Sequence, residues 1–261
     1  MEVHQHTHTD PAHSGTSRKK ITHYLWEFIM LFLAVFCGFL AENWREHIVE
    51  HQREKTFMKS MLKDLSADTA SFGQMSRGLS LYVSHIDSLI PLIKDNDDWG
   101  KSAKDIYQHQ VWIYLYYKAV YSDRTIEQLK NSGNFRLIRN PAVSDAIIQY
   151  DGFVKNFVIA MQDEGVLEQW KRVDNCSAGI FKSVVFREWM KGWISGLPLN
   201  HDIQLPPAPY FLSTDKKQID TYINLLDEYA VLNSWFIQNV QLAVNRAKNL
   251  DSLIKKEYRL E

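Results

Sequence analysis

Apolar positions fall into two regimes along this chain. Residues 28–41 run Phe-Ile-Met-Leu-Phe-Leu-Ala-Val-Phe-Cys-Gly-Phe-Leu-Ala, fourteen positions without a charge and apolar on every helical face. Beyond them, apolar residues recur at intervals of three and four, the spacing of amphipathic helices. Phe57, Met58, Met61, Leu62 and Leu65 form one such face, which should dock on a folded domain. Leu79, Tyr82, Ile86, Leu89, Ile90 and Ile93 form a second, which Pro91 kinks or ends. Residues 102–121 predict an aromatic helix carrying Trp112, Tyr114, Tyr116, Tyr117 and Tyr121. Ser132-Gly133 stops a helix that begins near Thr125; Asn140 and Pro141 then suit the cap and first position of a long helix to about residue 174. Gly152 and Gly165 should weaken it locally. A helix over 181–193 follows, then a proline-rich stretch over 197–213 that is either a flap, a docking segment or a tethering connector. Ser213-Thr214-Asp215 can cap a final helix to about residue 258. No hairpin signal or fixed-period repeat appears, so the expected class is all-α: an N-terminal transmembrane helix continuing into a juxtamembrane helix, then a soluble antiparallel helical bundle.

Fourteen residues alone are too few to span a bilayer, which takes about 17 to 25. Their flanks carry Tyr24 and Trp26 on one side and Trp44 on the other, as interfacial aromatic belts do. Trp26 to Trp44 corresponds to about 27 Å of helix, close to the hydrocarbon thickness. Glu27, Ala34, Gly38 and Ala41 share one stripe with Leu31, and Ala34-x-x-x-Gly38 permits close helix approach. That stripe is the candidate packing face for self-association or for another membrane protein. No cleavage pattern follows, so an uncleaved signal anchor is expected. Basic residues tie across the span; the cluster Arg18-Lys19-Lys20 favours a cytoplasmic N-terminus and a periplasmic C-terminal domain. The expected divisions are a His-rich disordered tail (1–20), the transmembrane helix (21–44), a juxtamembrane helix (45–72) and the soluble helical domain (73–261).

Glu42, Glu46, Glu50 and Glu54 make an acidic stripe on that juxtamembrane helix. It contains His47-Ile48-Val49-Glu50-His51, the H-x-x-E-H pattern in which two histidines share a metal beside a carboxylate base. A catalytic zinc needs a third protein ligand and a closed cavity as well, so a solvated stalk is the simpler reading of His47, Glu50 and His51. His4, His6, His8 and His13 in the tail are a second set of candidate metal binders. The loop over 95–100 is acidic but lacks calcium-loop spacing.

Composition adds exclusions. The 30 basic and 31 acidic residues of this 261-residue chain nearly cancel, leaving no global field for nucleic acid. Cys37 lies in the apolar run and Cys176 far from it, so the fold does not rest on a disulfide. There is no phosphate loop, Cys-x-x-Cys or nucleophile elbow, and no cofactor is expected. Ser132-Gly133-x-Phe135-x-Leu137-Ile138-x-Asn140, with an apolar helix framed by Glu27 and Glu42-Asn43-Trp44-x-Glu46, resembles a bacterial family of single-span membrane proteins catalogued only as a domain of unknown function. The resemblance covers roughly residues 20–150. It implies an inner-membrane anchor with its N-terminus in the cytoplasm, and no catalytic residue. The functional expectations are a non-enzymatic scaffold or interaction module of the cell envelope, a membrane-anchored ligand sensor, or a metal-dependent hydrolase built on His47, Glu50 and His51.

Overall fold

The structure, a computed structural model, describes residues 16–94 and 99–260. His4, His6, His8 and His13, and most of the loop over 95–100, lie outside the described residues. The described residues are almost wholly helical: α1 (Thr16–Lys94), α2 (Ala103–Ile113), α3 (Arg124–Asn131), α4 (Pro141–Phe153), α5 (Leu167–Ser177), α6 (Ser183–Ile194) and α7 (Lys216–Tyr258). Among them there is no strand, only one bridge between Phe181 and Phe211. The chain divides into two compact units between Glu54 and Lys55.

Within the first unit, α1 is apolar and uncovered. Phe28, Met30, Leu31, Phe32, Val35 and Phe39 are all exposed, as are Tyr24, Trp26 and Trp44 at its ends. Phe28, Phe32 and Phe36 stack along one edge at centroid distances of 6.4 and 5.8 Å. By length and composition this is a helix able to cross a membrane. Helix already begins at Thr16, within the segment expected to be a disordered tail.

In the second unit α1 supplies a strict seam. Met58, Met61, Leu65, Asp68, Phe72, Met75, Leu79, Tyr82, Ile86, Leu89 and Ile93 alternate at spacings of three and four, and every one is buried. The juxtamembrane helix was expected to end near residue 72; it instead runs on through Gly73 and Gly78 to Lys94, with Pro91 in its last turn. A glycine costs a helix only about 1 kcal/mol, less than burial of the flanking Phe72 or Leu79 returns. The long C-terminal helix repeats the device: Ile219, Tyr222, Leu226, Tyr229, Asn233, Phe236, Val240, Ala243, Ala247, Leu250 and Ile254 follow the same alternation and are buried. Tyr82 and Tyr229 meet edge to face at 5.5 Å, joining the two seams. α4 and α5 also pack on α7.

Between α4 and α5 the helix is wound as π-helix over Val154–Ile159 and Met161–Val166. The buried residues Tyr150, Val154, Val158, Gln162 and Val166 recur every four positions. An α-helix with 3.6 residues per turn would rotate that stripe out of the core; the wider i→i+5 turns hold it in place. Gly152 precedes the first of these stretches and Gly165 lies inside the second, where weakening was expected.

The helix expected over 102–121 ends at Ile113, and residues 115–123 are irregular. The Ile113 carbonyl, which the next helical turn would use, accepts instead from Tyr82 Oη at 2.6 Å and Trp170 Nε1 at 3.1 Å. Two side chains from distant helices therefore take over the acceptor on which continuation depends. The released segment delivers Ser122 N–H to Asp68 Oδ1 (2.7 Å), and Thr125 N–H, in the first turn of α3, reaches Asp64 Oδ2 (3.0 Å). Arg124 Nη2 reaches Asp64 Oδ1 at 2.7 Å, and Tyr150 Oη donates to Asp68 Oδ2 at 2.7 Å. Asp64 thus neutralises the N-terminus of α3 from α1. Burial pushes the Asp68 carboxyl up, more than its two donors offset. At Asp151 burial also pushes upward, but Lys130, Tyr121 and Lys155 outweigh it and hold that carboxyl below its ordinary range.

The connector behaves as its residues dictate: Gly133 adopts φ +66°, and Asn140 accepts from Ala142 N–H with Pro141 beginning α4. Asp215 accepts from Gln218 N–H at the start of α7. Asp64→Ala would strip the buried Thr125 N–H of its acceptor. It is expected to lower unfolding free energy by about 2–3 kcal/mol, read by urea denaturation.

Candidate functional site

Of the residues singled out on α1 in the first unit, His47 and His51 are exposed, Glu50 is half-buried and Glu54 is buried. Glu27, Ala34, Gly38 and Ala41 are exposed, and a Cβ built on Gly38 would meet nothing within 4 Å. Glu27 has His23 one turn earlier, at 3.6 Å, and Arg45 clasps Glu42 beyond the other end of the apolar run. His51 Nδ1 faces Glu54 Oε2 at 3.1 Å, one turn further on. Among the described residues no three His, Cys, Asp or Glu side chains converge as a metal-holding group.

The aromatic run over 112–121 does not assemble into one box. Tyr114 packs on Phe186, Tyr116 on Trp170 and Tyr121 on Tyr150, each with a separate partner. Trp112 alone among them lines a cleft of about 760 Å³ in the second unit. α1 contributes Leu81 and His85 to that cleft, α2 contributes Lys104, Asp105, Gln108 and Trp112, and the irregular segment before α7 contributes Leu199, Asn200 and Asp202. Its volume lies in the range of small-molecule sites.

One imidazole, His85, lines its wall, and a second, His109, contacts it. His85 lies flat on Trp112, with centroids 4.5 Å apart and planes 13° off parallel. Its Nδ1 is 2.9 Å from Nδ1 of His109, so one ring donates a single proton and the other accepts it. Burial pushes the His85 imidazole down to about 4, with the charge of His109 acting in the same direction. Burial also lowers His109, against the pull of Asp105. The pair is therefore neutral at physiological pH. Gln108 Nε2 donates weakly to the His201 carbonyl at 3.4 Å, while its Oε1 is buried with no hydrogen-bond partner among the described residues. Lys104 and Asp202 pair across the rim at 3.1 Å.

The segment closing this cleft is tied down. His201 stacks on Trp189 at 5.8 Å and 7° and sits on Gly192, where any Cβ would lie 2.5 Å from His201 Nε2. Trp189 Nε1 donates to the Leu199 carbonyl. Further on, Phe211 stacks on Tyr107 at 5.2 Å, and Tyr107 Oη donates to the Tyr210 carbonyl at 2.8 Å. Of the readings open for residues 197–213, the tethering connector matches these contacts. The cleft itself was not anticipated, because His85, His109 and residues 199–202 are far apart in sequence and join no motif.

No protein-family model, curated protein or solved structure matches the chain.

The low proton affinity of His85 has a definite sign. Between about pH 4 and 6.5 the unfolded chain takes up a proton at this position that the folded chain refuses. The associated stability is full above pH 6.5 and is lost as pH falls toward 4. Allowing for solvent screening at a half-exposed ring, the effect is about 1 kcal/mol. Urea unfolding across pH 4–7 should show that slope, and His85→Gln should flatten it.

Proposed function

We propose that this chain is a single-span bacterial inner-membrane protein whose helical domain is a non-enzymatic interaction module of the cell envelope. The observation that carries the reading is the uncovered apolar surface over residues 28–40 with exposed Tyr24, Trp26 and Trp44 at its ends. Water does not tolerate a continuous apolar surface all around a helix, whereas hydrocarbon does. The aromatic belts match the two bilayer interfaces. The small-residue stripe at Ala34, Gly38 and Ala41 offers a face to another transmembrane helix, in a second copy or in a different membrane protein. Arg18-Lys19-Lys20 and the resemblance carried by residues 132–140 favour a cytoplasmic N-terminus, which assigns the domain to the periplasm.

We further propose that this domain is an antiparallel bundle. Tyr82 meets Tyr229, whereas Lys59 and Lys63, earlier in α1, share a groove with Lys255, later in α7, and with Arg259 just beyond it. Contacts that advance along one helix while retreating along the other support opposed directions.

The anchor has a direct test. The wild-type chain should stay in the membrane pellet after alkaline carbonate extraction. Leu33→Arg with Val35→Arg should release it or prevent its accumulation, since each charge costs about 2.5–3.5 kcal/mol at mid-bilayer. Recovery of the wild-type chain in the carbonate supernatant would overturn the reading. A C-terminal alkaline phosphatase fusion should be active, and an inactive one would reverse the assigned orientation.

A ligand sensor is the second reading, favoured by Gln108, which lines the cleft and whose buried Oε1 has no hydrogen-bond partner among the described residues. A buried acceptor without a donor destabilises a fold unless a bound molecule supplies one. Gln108→Leu should therefore raise the thermal midpoint of the unliganded protein; a lowered midpoint would assign Gln108 a purely structural role.

A further inference from the structure

A second groove of about 770 Å³ lies between α1 and α7 within the second unit, and its character is different. Lys59 and Lys63 stand one turn apart on α1; Lys255 lies in the last turn of α7 and Arg259 is the residue that caps its C-terminus. Like charges at i,i+4 repel, so Lys59 and Lys63 are unfavourable on their own helix, and the groove sets them beside the second basic pair. Asp251 is the one acidic residue lining it, and it is engaged with Lys255 at 3.2 Å. Lys59, Lys63 and Arg259 have no ion-pair partner among the described residues. The groove thus carries four positive groups against one negative group. Ser66, a turn beyond Lys63, adds a hydroxyl, while the half-buried Leu62 and Leu260 give it an apolar lining.

We propose that this groove binds a compact phosphate-bearing anion of at least two negative charges. Lysines act on phosphate as point charges, and Arg259 can add a bidentate fork. Two opposed cation pairs suit a ligand with charge on both sides, such as a diphosphate or a phospholipid headgroup. A nucleic-acid strand fits poorly, because no exposed aromatic side chain lines the groove to stack a base. This site is separate from the His85 cleft and does not depend on the anchor.

The test uses the full chain in nanodiscs of phosphatidylcholine, titrated with inorganic pyrophosphate at low ionic strength by calorimetry. Binding is expected, weakening steeply with added salt. Lys63→Gln with Arg259→Gln should weaken it at least tenfold while leaving the helical circular dichroism intact. Both side chains are exposed, and Lys59→Gln with Lys255→Gln provides an independent pair should the first fail to fold. Repeating the titration in discs containing phosphatidylglycerol distinguishes the sources. Suppressed pyrophosphate binding identifies a lipid headgroup as the occupant, and undiminished binding identifies a soluble phosphate ester; either supports the groove's chemistry. No pyrophosphate binding by the wild-type chain, or equal affinity in the folded variants, would overturn the proposal. Carbonate extraction reads the anchor separately, so failure of one does not imply failure of the other.

Discussion

A heptad-spaced seam on α1, interrupted once by the buried carboxylate of Asp68, is the constraint around which the second unit is organised. Met58 to Ile93 are buried on that seam, and Asp64 and Asp68 turn the same helix into an acceptor for polar backbone elsewhere. An apolar seam alone tolerates sliding by a heptad, because each layer resembles the next. A buried carboxylate that needs Ser122 N–H and Tyr150 Oη does not, since displacement would leave charge and donors unpaired. Asn233 occupies the corresponding interruption on α7, where its amide donates to the Tyr229 carbonyl of its own helix.

The short elements follow from that commitment. α2 stops where Tyr82 and Trp170 claim the Ile113 carbonyl, and the freed segment is then close enough to serve Asp68. Tyr116 Oη donates to the Gln162 carbonyl, and Ala119 N–H bonds the Gln162 side chain, so the irregular stretch is satisfied from a π-wound helix rather than by a helix of its own. Local pattern and tertiary demand disagree here, and tertiary demand prevails because each buried backbone group left unpaired costs more than the helix propensity of a few residues.

What the sequence makes legible divides along the same line. Periodic apolar spacing and terminal chemistry are local, so Asn140, Pro141, Gly133 and Asp215 can be placed on sight, as can the apolar run over 28–41. The end of α2 is not legible because its cause lies 31 residues earlier in Tyr82 and 57 residues later in Trp170. The continuity of α1 through Gly73 is hidden because glycine signals a break whose cost only burial can offset. His85 and His109 belong to separate helices, and no spacing rule joins them. The basic groove is concealed by arithmetic: a net charge of −1 is a sum over the whole chain, and Lys59, Lys63, Lys255 and Arg259 come from opposite ends of the domain. The candidates that local pattern does supply, Glu27, Ala34, Gly38 and Ala41, sit on a face that none of the described residues covers.

The proton shared between His85 and His109 gives the cleft beside Trp112 two interchangeable chemical identities. When His109 Nδ1 donates, Nε2 of His85 bears hydrogen; when His85 Nδ1 donates instead, His85 Nε2 has given its proton to solvent, His109 Nε2 has taken one up, and His85 Nε2 is a bare acceptor. No net charge changes, and neither ring need leave its place against Trp112 or its partner. The wall of the cleft is in this sense ambidextrous, able to meet a donor or an acceptor on an incoming molecule by tautomer exchange alone.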